Sequence, residues 1–161
     1  MQEQTQALRK GLSRVWLLWG AILGSLVVYL LIVQVVAPAG RPMIGREVGG
    51  LRVELLLFGL ALLVFLFAGL LRRAMLARPP APGPEATDAR IVQTALSRYF
   101  VAVVVSNALV ESVGILALVL YFVGVPSDTV YSLILLTALG MLLLRPRWSE
   151  LDALADALRR G

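Results

Sequence analysis

Glu111 is the residue whose type and setting invite chemistry. It stands twelve residues after Tyr99 and twelve before Val123, inside the apolar run Asn107-Ala-Leu-Val-Glu111-Ser-Val-Gly-Ile-Leu-Ala-Leu-Val. At ~1.5 Å of rise per residue the carboxyl lies about 18 Å along a helix, near the middle of a hydrocarbon layer about 30 Å thick. A carboxylate at that depth costs at least ~2.5–3.5 kcal/mol on insertion scales, so such groups face protein or water. The usual escape is to take up a proton. A carboxyl of this kind can exchange protons, bind a cation when other oxygens surround it, or act as a neutral hydrogen-bonding group.

The neighbouring residues point to an interior face. Asn107, Glu111 and Gly114 fall at i, i+4 and i+7 and form one stripe, flanked by Ser106 and Ser112. The amide and the hydroxyls are expected to hydrogen-bond the carboxyl, and Gly114 lets another helix approach closely. Glu111, Ser112 and Asn107 are therefore the candidate proton- or ion-binding set. The alternative reading makes Glu111 and Asn107 interhelical glue in a structural or assembly subunit. A third reading, a pocket or an enzyme site around Glu111, has less behind it.

The segment Ala108-Leu-Val-Glu111-Ser112-Val-Gly114-Ile115-Leu-Ala-Leu118-Val119 resembles the carboxylate-bearing helix of the rotor-ring c subunit of F-type ATP synthases. The resemblance implies that Glu111 is an ion-carrying carboxylate, with Ser112 and the Val110 carbonyl beside it, possessed by a part of an ion-translocating complex. Arg78-Pro79 in the preceding loop is similar to that family's cytoplasmic Arg-Gln-Pro loop, without the Gln. The likeness covers residues 108–119 only. The block before the loop carries Phe58, Phe65 and Phe67 in place of the family's dense glycines, and Val113 and Leu116 stand where sodium-binding members carry hydroxyls. Ring assembly is not carried over.

Other chemistry finds little support. The 161 residues include no Cys and no His, which removes thiol nucleophiles, disulfides, thiolate metal sites and the commonest neutral-pH acid/base group. No P-loop, dinucleotide fingerprint, zinc spacing or nucleophile elbow is present. The reading is therefore a non-enzyme, with no catalytic residues, metal or cofactor. Gly20 and Gly24 make a G-x-x-x-G in the first apolar block, followed by Ser25; with Gly114 and Gly140 they are the candidate helix-packing glycines. Gln34 suits an interfacial or interhelical hydrogen bond, and Ser132, Thr137 and Gly140 read as packing residues of the fourth block that are candidates to face Glu111.

The elements that must position Glu111 follow from composition. The chain is 59% hydrophobic, with a mean hydropathy of +0.85, well above the 45–50% usual for soluble domains. The excess falls in four blocks, about 15–36, 53–71, 99–123 and 129–144, each near the length needed to span a bilayer. The first is too long for the core of a signal peptide, and its Trp16, Trp19 and Tyr29 suit interfacial zones. The segment from 37 to 52, with Pro38, Pro42 and four Gly, cannot be helical throughout. The stretch 78–88, with four Pro, reads as an extended loop inside a cytoplasmic connection, 72–98. The tail carries Trp148, Leu151, Leu154 or Ala155, and Leu158 at helical spacing, with acids early and bases late.

The expected fold is thus all-α: a four-helix transmembrane domain, 1–147, and an amphipathic C-terminal helix, 148–161, on the membrane or against a neighbour. The net charge of +5 comes from fourteen Arg and one Lys, nearly all just outside the blocks, so it speaks for membrane orientation and against nucleic acid. With the N-terminus inside, the inner segments hold twelve bases and the outer ones three. Under the positive-inside rule this places both termini in the cytoplasm of a multi-pass cell-membrane protein. Its expected partners are the lipid bilayer and other membrane subunits or further copies of itself.

Overall fold

The structure, a computed structural model, describes residues 2–36, 47–48, 51–77 and 87–160. Five helices make up nearly all of it: α1 (Gln2–Val35), α2 (Val53–Ala77), α3 (Asp88–Phe122), α4 (Ser127–Leu143) and α5 (Trp148–Arg160). Two-residue strands β1 (Glu47–Val48) and β2 (Leu51–Arg52) pair antiparallel just before α2. The prolines and all four glycines of 37–52, and the Pro-rich loop through residue 86, lie outside the described residues.

Helix α3 is the axis of the bundle, and α1, α2, α4 and α5 all pack on it. Its 35 residues make it ~52 Å long at ~1.5 Å per residue, far more than a bilayer core needs. Helix α1 runs beside it in parallel, so that residues about 86 positions apart meet, as Ser25 meets Glu111. Helix α4 returns antiparallel, bringing Gly140 against Val110 and Gly114 against Thr137. The reversal between them is tight for a local reason. Gly124, at φ 93°, ends α3 while Gly124 N–H bonds Tyr121 O and Val125 N–H bonds Leu120 O. This double bond pattern around a left-handed glycine closes the last orphan carbonyls of a helix.

Two stacked cores result. One, built from Leu26, Val110, Val113, Ala117, Leu133, Ile134 and Met141 with α2's Ala61 and Ala68, fills the apolar storey. The other joins Leu8 and Val15 of α1, Ile91, Val92, Ala95, Tyr99 and Val103 of α3, and Leu151, Leu154, Ala155 and Leu158 of α5. The polar lead-in before residue 99 and the polar leader of α1 are thus continuous helix. Their apolar residues recur every three to four positions and find α5 as a partner. Likewise α2 continues past Arg72 and Arg73 to Ala77, so much of the 72–98 connection is helical.

Three helices, α1, α2 and α3, are long and apolar enough to cross a membrane. A fourth crossing is reached if α4 and α5, bent by 44° at their junction, are taken together. The outward faces of the spans are apolar, with Leu55, Leu62, Leu66, Leu135 and Leu143 more than half exposed, as lipid-facing surfaces require. The chain is a small multi-span helical membrane protein in contact with the bilayer.

Candidate functional site

Glu111 is partly buried on the face of α3 turned to α1. Its Oε1 lies 2.6 Å from Ser25 Oγ and accepts a hydrogen bond from Tyr29 Oη at 3.1 Å. Both hydroxyls come from one face of α1, at i and i+4, where side chains stack one above the other. The parallel register of α1 and α3 sets them at the depth of the carboxyl. Gly114, one turn on, is the close-approach point beside this cluster. A Cβ there would stand 2.9 Å from Leu26 Cδ2 and 3.6 Å from Tyr29 Cδ2, so the missing side chain lets α1 come near.

Ser25 is the informative member. Its Oγ is also 2.7 Å from the Ile22 carbonyl oxygen. A hydroxyl has one hydrogen to donate, so the single Ser25 proton is shared between Ile22 O and Glu111 Oε1. Glu111 Oε2 makes no hydrogen bond among the described residues.

The other sequence-selected residues fall elsewhere. Asn107 is fully buried, but its Nδ2 donates to Val103 O on its own helix at 2.8 Å, and its Oδ1 is buried without a partner. Ser106 also bonds Val103 O. Ser112 is exposed and donates to Leu109 O at 2.6 Å, away from the α1 contact. Gly140 is packed, with an added Cβ 3.2 Å from both Phe65 Cζ and Val110 Cγ1, whereas Gly20 and Gly24 have open space around them. Thr137 lies beside Gly114 and donates to Leu133 O, and Ser132 is exposed. Trp16 is partly exposed, as an interfacial ring would be, but Trp19 is buried and donates Nε1–H to Met141 O at 3.2 Å.

A second polar cluster, not singled out by sequence reasoning, sits where α4 meets α5. Arg72 of α2 is only 4% exposed and ion-pairs Glu150 at 2.6 Å. Its guanidinium also donates to the carbonyls of Leu144 and Arg145, at the C-terminus of α4. Carbonyls there have no partner within the helix, and a cation suits that end of the dipole. Tyr99 completes the cluster: its hydroxyl donates to Arg147 O at 3.0 Å, accepts from Arg147 N–H at 2.6 Å and lies 3.4 Å from Arg72 Nη2. These bonds hold the Arg145-Pro146-Arg147 corner and so set where α5 starts. The apolar-to-basic boundary at Leu71–Arg72 was visible in sequence, but nothing there distinguished buried Arg72 from exposed Arg73. No protein-family model, curated protein or solved structure matches this chain.

Proposed function

We propose that the chain is a structural or assembly component of the membrane, in which Glu111 is a hydrogen-bonding clasp that fixes α1 against α3. The observation that carries this reading is the pair of α1 hydroxyls, Ser25 and Tyr29, converging on one oxygen of the Glu111 carboxyl. Both termini lie on the cytoplasmic side, α4 serves as the fourth span, and α5 with the basic ends of α1 and α3 forms a platform outside the bilayer. The distribution of bases, twelve against three, supports that orientation. Partners of the platform or of the exposed Gly20–Gly24 face are other membrane subunits or a second copy.

A second reading has its own support. Glu111 is a carboxyl deep in an apolar helix with two hydroxyl oxygens beside it, the kind of group that marks ion and proton pathways in membrane proteins. The two readings part on substitution. Glu111→Gln keeps an acceptor for Tyr29 and a donor for Ser25. Under the clasp reading it folds nearly as the parent does, while Glu111→Leu loosens the bundle by about 0.6–2 kcal/mol, the scale of interhelical hydrogen bonds. Reconstituted in proteoliposomes, the parent should show no Glu111-dependent proton or sodium flux. Flux abolished by Glu111→Gln, with stability unchanged, would overturn the clasp in favour of translocation.

A further inference from the structure

A groove of about 590 Å³ runs between the second half of α2, the end of α4 and the first turns of α5. Its volume falls within the range of about 300–1,000 Å³ typical of ligand sites. One end is apolar, walled by Leu66, Leu70 and Leu143, each more than half exposed on the lipid-facing side of the bundle. Gly69 forms part of the same wall, and a Cβ added there meets open space. The other end is basic, with Arg72, Arg73 and Arg147 against the single acid Glu150, a local balance of +2.

These charges are not equally engaged. Glu150 is taken by Arg72. Arg73 and Arg147 are exposed, and their guanidinium groups have no hydrogen-bond or ion-pair partner among the described residues. Arg72 is buried to 96%, yet its Nε–H has no partner either. The sequence places this mouth at the end of the α2 hydrophobic run, which is the level of lipid phosphates and esters.

We infer that the groove binds an anionic phospholipid, with its phosphate between Arg73 and Arg147 and an acyl chain along Leu66, Gly69 and Leu70. The charge complementarity and the continuity of the apolar wall with the lipid-facing surface select this occupant over a soluble anion. The site needs only that this end of α2 lie at a bilayer surface. It is independent of the role of Glu111 and of which side of the membrane faces the cytoplasm.

Native mass spectrometry of the purified full chain in detergent, titrated with phosphatidylglycerol or phosphatidylcholine, tests it. Each interfacial basic residue is worth about fivefold in affinity for anionic lipid, so Arg73→Gln with Arg147→Gln should weaken phosphatidylglycerol binding about thirtyfold. The charge-matched control, Arg14→Gln with Arg90→Gln, alters exposed residues outside the groove and should change binding less than about twofold. Gly69→Phe should expel the lipid while leaving the thermal transition in place, and glycerol 3-phosphate should not compete. Equal binding of the two lipids, equal losses in both double variants, full affinity after Gly69→Phe, or displacement by glycerol 3-phosphate would each overturn the inference.

Discussion

Replacing Arg72 by Leu should detach α5 from the bundle before it unfolds the spans. The substitution removes the 2.6 Å ion pair with Glu150 and leaves the Leu144 and Arg145 carbonyls without their donor. Each buried group left unpaired costs about 1–3 kcal/mol. Glu150 is 31% exposed and can turn to water, so its loss of a partner counts for little. Two orphaned carbonyls then give about 2–6 kcal/mol in all, a range that includes the cost of breaking a buried ion pair from one side. Glu150→Gln, which keeps an acceptor for the guanidinium, should cost only about 1 kcal/mol. The assay exploits the cysteine-free sequence: Leu158 is 2% exposed in the core that α5 shares with α1 and α3. A thiol introduced by Leu158→Cys should be slow to label in the parent background and at least tenfold faster with Arg72→Leu, with α5 opening at lower denaturant than the apolar storey. Unchanged labelling together with a stability loss under 1 kcal/mol would refute the claim that Arg72 pins this corner.

Three further outcomes follow from the same geometry. Single cysteines at Arg90 and Asp152, both exposed, should react with an impermeant reagent only from the cytoplasmic side, and one at Ser127 only from outside; labelling of position 90 from outside would invert or break the four-span topology. Gly114→Leu and Gly140→Leu should each destabilise the bundle by about 1–3 kcal/mol through overpacking, since even a Cβ meets Leu26, Phe65 or Val110 closely. Gly20→Leu and Gly24→Leu should leave the monomer's stability within about 0.5 kcal/mol, so any effect on size in analytical ultracentrifugation reports self-association alone.

The apolar storey was legible in the sequence because hydrophobic runs of membrane length have few other uses. The lower storey was not, for identifiable reasons. Residues 89–98 read as a polar helical lead-in through Arg90, Gln93, Thr94, Ser97 and Arg98, yet Ile91, Val92, Ala95 and Tyr99 form a buried stripe between them. That stripe acquires meaning only once α5 supplies Leu151, Leu154 and Leu158 to meet it. Glu111 was conspicuous as a charge in an apolar run, but its partners were not. Asn107 and Ser112 are near it in sequence, and each donates to a backbone carbonyl along α3 instead, as amides and hydroxyls in helices often do. Ser25 and Tyr29 carry ordinary hydroxyls in a distant helix. Their spacing of four was readable, but only the parallel register of α1 and α3 brings them to the carboxyl.

The clasp itself is tested most directly by a double-mutant cycle in bicelles between Tyr29→Phe and Glu111→Leu, with unfolding followed by steric trapping. Removing either group should destabilise the bundle, and the pair should couple by about 0.6–1.7 kcal/mol, the range found for hydrogen bonds between membrane helices. Ser25→Ala against Glu111→Leu should couple at least as strongly, since that contact is the shorter, 2.6 Å against 3.1 Å. Coupling indistinguishable from zero in both cycles would contradict the account, because Glu111 would then contribute nothing to holding α1 against α3.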